Sequence, residues 1–171
     1  NNITKRSRKV AAQLSGGISH LLKKNKVHVF EGFGYLDKGT VDSKIIIIKT
    51  EKEIIRKKAQ NVIIATGARS RNLPFVSSDG INIWDYKTAM TPPKLPSSLI
   101  IIGSGAIGME FASFYNDLGV NVTVVEALPS ILPNEDEDIS KVVENNFKKR
   151  GMNIKTNATL KSVKTLDKSV S

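Results

Sequence analysis

The stretch Leu99-Ile100-Ile101-Ile102-Gly103-Ser104-Gly105-Ala106-Ile107-Gly108 decides the fold, because an apolar run passes into three glycines at fixed spacing and a helical pattern follows. Continuous apolar residues without alternation read as a strand covered on both faces of a parallel sheet. Gly103 then permits a tight turn, Gly105 lets a pyrophosphate approach the backbone, and Gly108 lets the helix pack against the strand. The helix N terminus offers unpaired N–H groups and a partial positive charge to an anion, so the loop needs no lysine.

Downstream the pattern is regular. Ala106 to Leu118 reads as a helix closed by Gly119, and Asn121 to Val125 as a second strand. Ile139 to Arg150 reads as a helix closed by Gly151, with Ile139, Val142, Val143 and Phe147 on one face, and Ile154 begins a third strand. The order β-α-β-α-β is the start of a parallel doubly wound sheet. At the end of its second strand stands Glu126, 23 positions after Gly103. A carboxylate there accepts hydrogen bonds from the adenosine ribose hydroxyls and repels a 2′-phosphate, and Ala127, Leu128 and Pro129 supply no arginine to bind one. NAD is therefore expected over NADP. A chance pairing of a glycine-rich turn with an exposed Glu explains this joint context poorly.

Other candidates carry less. Glu110, two positions after Gly108, is either an acid favoured by the helix dipole or a group near the reactive end of the cofactor, and both readings stay open. Asn157 and Leu160 follow the third strand, where packing or turn formation competes with a place at the edge of the nucleotide crevice. The acidic run Glu135 to Asp138 is most simply the charged first turn of a helix. His20 and His28 have no Cys or paired acids at ligand spacing, so no metal site is expected.

Upstream, residues 68 to 98 hold four of the six prolines and read as an extended connector, with a domain boundary near Pro92 that gives 1–91 and 92–171. A helix is expected from Thr4 to Asn25, with Val10, Leu14, Ile18, Leu21 and Leu22 along one stripe. Gly16 and Gly17 interrupt it, for close packing or a kink. Short β-like runs at Val27 to Phe30, Phe33 to Leu36, Val41 to Lys49 and Glu53 to Arg56 predict a small antiparallel meander. Val62 to Ala65 is continuously apolar again and predicts a buried strand ending at Thr66-Gly67, where a hydroxyl and a side-chain-free backbone could meet a ligand.

Composition sets the outer bounds. At 171 residues, 40% apolar and 25% charged, the chain has room for one ordinary domain or two partial ones. Of the net charge of +10, +9 falls in residues 1–60, which hold 14 Lys and Arg against 5 Asp and Glu. No aromatic platform interleaves those clusters, so a solvated or partner-facing surface is expected rather than a nucleic-acid site. Zero cysteines leave no disulfide or thiolate chemistry to these residues. The four isoleucines Ile45 to Ile48 are as long as any apolar run, far below the roughly 18 residues of a membrane span, and no signal-peptide pattern is present. A soluble protein of the cytoplasm is expected, or of the mitochondrial matrix if the source is eukaryotic.

Taken in order, the motifs resemble the dihydrolipoamide dehydrogenases of the flavin disulfide reductase family, the flavin-linked components of 2-oxo acid dehydrogenase complexes. The matching pieces include Leu21-Leu22-Lys23-Lys24-Asn25-Lys26-Val27, Gly32-Phe33-Gly34, Ile63 to Ala68, Leu99 to Glu110, and Val122 to Glu126. The resemblance implies part of an FAD-binding domain with a small antiparallel meander, followed by a doubly wound, Rossmann-like NAD-binding unit inserted after the Ala-Thr-Gly strand. Carried over, Gly34, Thr66, Gly67 and Ala68 would contact FAD. Gly103, Ser104, Gly105, Ala106, Ile107, Gly108, Met109, Glu110 and Glu126 would contact NAD, with Leu160 bordering that site. The family's electrons run between dihydrolipoamide, a redox disulfide, FAD and NAD, and its members are homodimers that act on the lipoyl domain. The disulfide, the first FAD glycine motif and the catalytic His-Glu pair have no match here, so an internal, catalytically inactive fragment is expected. A sibling such as mercuric reductase, or a non-catalytic NAD-binding module, is the alternative; glutathione reductase uses NADP and fits Glu126 poorly.

Overall fold

A computed structural model describes residues 2–40, 43–71, 73–166 and 169–171. By packing the chain divides into two units, Asn2–Arg69 and Ser70–Ser171.

The first unit opens with α1 (Asn2–Lys24), which runs unbroken through Gly16 and Gly17; a Cβ added at either would meet nothing within 4 Å. Neither a kink nor a close contact explains that pair. The helix stops where Lys26 turns to φ 57 and the amide of Val27 donates back to the Leu22 carbonyl at 2.9 Å, closing the last turn. Val27 to Phe30 is consequently no strand, since its first residue completes the helix stop. Three strands follow: β1 (Phe33–Asp37), β2 (Lys44–Lys49) and β3 (Ile54–Ala59). They form an antiparallel sheet in that order, with Tyr35 opposite Ile47 and Ile48 opposite Ile55. The meander is as expected, although Val41 and Asp42, in the expected second run, lie outside the described residues. Val62 to Ala65 departs from expectation. Among the described residues no strand pairs with it, and Ile63 is 92% exposed. A strand exists through ladder bonds to a neighbour, which an apolar sequence alone does not supply.

The second unit begins with an irregular stretch and a short helix, α2 (Tyr86–Met90), capped by Asp85, whose side chain accepts from the amides of Lys87 and Thr88 at 3.0 Å each. The regular part is β4 (Ser98–Ile102), α3 (Ala106–Asp117), β5 (Asn121–Val125), α4 (Glu137–Lys149) and β6 (Asn153–Lys155). The three strands are parallel in the order β4-β5-β6, with Ile101 opposite Val124 and Val124 opposite Ile154. Parallel neighbours require a crossover, and the two helices supply it. Met109, Ala112 and Tyr115 of α3 close over Val122 and Val124 of β5 to make the buried core. The acidic run starts α4 as expected: Asp136 caps the helix and Glu137 and Asp138 occupy its first turn.

Tyr115 decides where the unit begins. Its hydroxyl donates to the Ala89 carbonyl at 2.6 Å and its ring lies 6.2 Å from that of Trp84, so the connector packs against this core. By packing, the connector from Ser70 onward groups with the second unit. Proline content marks where regular structure is absent, but burial decides which unit a connector joins.

Candidate nucleotide site

Parallel strands present their carboxyl ends at one edge, and there the chain must turn. Gly103 makes the turn with φ +94, in the left-handed region that glycine tolerates, and its amide still donates to the Val125 carbonyl at 2.9 Å. Gly105 is the N-cap of α3, with no side-chain hydrogen bond capping the helix. A Cβ there would meet nothing within 4 Å, whereas a Cβ on Gly108 would sit 2.2 Å from the Gly103 carbonyl oxygen. The two glycines thus have different jobs, one leaving room in front of the helix and one letting the helix touch the turn.

Between Gly103 and Gly105, Ser104 is fully buried, and Glu126, the residue after β5, is only 8% exposed. The Ser104 amide donates to Glu126 Oε2 at 2.8 Å, the Ser104 hydroxyl donates to the same oxygen at 2.7 Å, and the Leu128 amide donates to Oε1 at 2.9 Å. Burial pushes this carboxyl up, but the hydrogen bonds from Ser104, Leu128 and Ala127 outweigh it and hold Glu126 below the usual carboxylate range. Its backbone is tied as well: the Glu126 amide donates to the Lys155 carbonyl at 2.8 Å and its carbonyl accepts from Ala158 at 2.9 Å. From the other side the Leu132 amide donates to the Ser104 carbonyl at 3.0 Å. A buried, ionised acid thus staples the ends of β4 and β5 together beside the N terminus of α3.

Sequence reading picked out Gly103, Ser104, Gly105 and Glu126, and the fold brings Ser104 and Glu126 into direct contact. It did not foresee that contact, or the strap of residues around Leu132; the one available signal was a hydroxyl placed between two glycines. Ala106 and Ile107 lie exposed at the start of α3, while Met109 is buried in the core. Glu110 is exposed and, with Leu132, Ile139 and Val143, lines an open groove of ≈ 480 Å³ between α3 and α4. Leu160 is half-buried beyond β6, after Asn157, whose backbone at φ 51 donates to the Leu128 carbonyl at 3.0 Å. In the other unit Gly34 lies on β1 opposite Ile48, and Thr66, Gly67 and Ala68 are exposed, with Gly67 at φ +75. Among the described residues no group of His, Cys, Asp or Glu is arranged to hold a metal ion, and no helix is long and apolar enough to cross a membrane.

A parallel α/β unit with a glycine turn and an acidic residue at its strand ends defines a dinucleotide-binding class of protein. The model of the pyridine nucleotide-disulphide oxidoreductases matches residues 1–171, and the chain belongs to that family. It is 48% identical over 170 residues to the dihydrolipoyl dehydrogenase of Zymomonas mobilis, a match covering 99% of this chain and 36% of that one. It is 42% identical to the dihydrolipoyl dehydrogenase of Rhizobium etli, across 92% of this chain and 35% of that one. The crystal structure of LpdA from Mycobacterium tuberculosis superposes with a TM-score of 0.90 at 34% identity, covering 99% of this chain and 38% of LpdA. The chain thus spans about a third of the length of the curated relatives it matches.

Proposed function

We propose that residues 92–171 bind NAD in preference to NADP, and that residues 1–91 form part of an FAD-binding domain. The observation that carries the first half is the Glu126 carboxylate, ionised and fixed beside the uncapped N terminus of α3. A pyrophosphate fits the open space at Gly105, where the helix dipole and the first-turn amides favour negative charge. The fixed carboxylate accepts a ribose hydroxyl and repels a phosphate in the same place. Gly34 and Thr66 to Ala68 are the candidates for FAD contact. Bound FAD and NAD supply the redox chemistry; this chain's residues bind and orient them. Neither His20 nor His28 is assigned a catalytic role.

The whole protein is proposed to oxidise dihydrolipoamide with NAD through FAD and a redox disulfide, as a homodimer acting on a lipoyl domain in the cytoplasm. The names of the relatives at 48% and 42% identity support this reading. Calorimetric titration of the chain with each dinucleotide tests the NAD assignment. NAD is expected to bind more tightly, and equal or tighter binding of NADP would overturn it.

A further inference from the structure

We propose that Ser104 is a positioning residue for the ribose site: its amide and hydroxyl together fix Oε2 of Glu126 and so orient the carboxylate for a nucleotide. The inference rests on the NAD reading and adds a residue to it. A carboxylate has about four lone-pair positions. The Ser104 amide and hydroxyl, at 2.8 and 2.7 Å, take both on Oε2, and the Leu128 amide takes one on Oε1. The Ala127 amide adds a further contact to the same carboxylate, and Ser104 alone supplies both bonds that hold Oε2. The hydroxyl must be the donor, because an ionised carboxylate only accepts. Ser104 is itself fully buried and held through its carbonyl by Leu132, so it acts through Glu126 and does not touch the ligand.

Without the hydroxyl, Oε2 would have an unfilled acceptor position in a buried place, and the carboxylate would be free to turn or take up a proton. Lys155 of β6 does not substitute, since it meets Glu126 through its backbone carbonyl. Ser104 therefore keeps the carboxylate aimed and charged as pH falls.

The test compares the chain with its Ser104→Ala and Ser104→Cys variants. NAD and NADP titrations run from neutral to mildly acidic pH, folding is checked by circular dichroism, and the Glu126 carboxyl is titrated by NMR without nucleotide. Ser104→Ala is expected to weaken NAD binding about tenfold, the scale of one charge-assisted hydrogen bond. The carboxyl midpoint and the acid limb of binding should both move to higher pH. Ser104→Cys, a weaker donor of similar size, should fall between. If the parent prefers NAD but a folded Ser104→Ala variant binds it equally, with an unmoved carboxyl midpoint, the positioning role is wrong and the nucleotide reading stands. If the alanine variant does not fold, an unmoved midpoint in Ser104→Cys overturns the role just as firmly. A parent that binds NADP as well as NAD overturns the nucleotide reading itself, and the ligand-free midpoint still judges Ser104.

Discussion

At the scale of single residues, the two loop glycines separate binding from folding. Gly105 has φ −64 and empty space where a Cβ would point, so Gly105→Val should keep the circular dichroism of the parent and lose NAD binding. Unchanged binding would refute the phosphate-loop reading. Gly108→Val would drive a Cβ into the Gly103 carbonyl and should cost more than about 3 kcal/mol in denaturant unfolding. Glu126→Gln asks a different question. An amide matches the carboxylate in shape, but its oxygen can satisfy either the Ser104 donors or Leu128, leaving its NH2 group against the other donor. A loss of about 1–3 kcal/mol is expected near neutral pH. Because the folded Glu126 carboxyl is lowered, its contribution is full above the unfolded value of about 4.3 and drains away as pH falls through the folded value. Stability curves of the parent and Glu126→Gln should therefore converge in acid; a constant gap would rule out a lowered Glu126.

At the scale of elements, the second unit depends on a five-residue helix joined to a longer one. Asp85 caps α2, and α2 presents the Ala89 carbonyl to the buried Tyr115 hydroxyl of α3. Asp85→Ala should lower stability by about 1 kcal/mol. Amide exchange should quicken at Lys87 and Thr88, whose donors lose their partner, while β5 keeps its protection. Equal loosening of β5 would mean that α2 and the sheet open as one. By contrast, the Arg150 ion pair with Asp117 joins the ends of α4 and α3 at an exposed position, where such pairs contribute little.

The whole molecule leaves much apolar surface uncovered in the first unit. Ile3, Leu14 and Ile18 of α1, Phe33 of β1 and the segment at Ile63 and Ile64 are all exposed. A polypeptide of these 171 residues alone is expected to hold no stoichiometric FAD and to show no dihydrolipoamide:NAD turnover, because it has no cysteine for the disulfide step and one strand-glycine-helix phosphate loop. Flavin absorbance and a lipoamide-coupled NADH assay decide this. One flavin per chain, or turnover above a protein-free control, would overturn it.

Local chemistry was legible in the order of residues. The apolar run at Leu99 to Ile102, the strand pattern at Asn121 to Val125, the glycine spacing from Gly103 to Gly108 and the place of Glu126 each reflect backbone geometry that acts within a few residues. That was enough to predict the parallel unit and the glycine turn at its strand ends. Three other features depended on neighbours distant in sequence. Val62 to Ala65 looks as apolar as β4 but has no ladder partner among the described residues, and pairing, unlike hydropathy, belongs to two segments. Ser104 and Glu126 stand 22 positions apart, and only the parallel register of β4 and β5 brings the hydroxyl to the carboxylate. The connector before β4 joined the second unit because Tyr115, 26 residues beyond Ala89, needed a partner for its buried hydroxyl, a requirement that arises only once the core has closed around it.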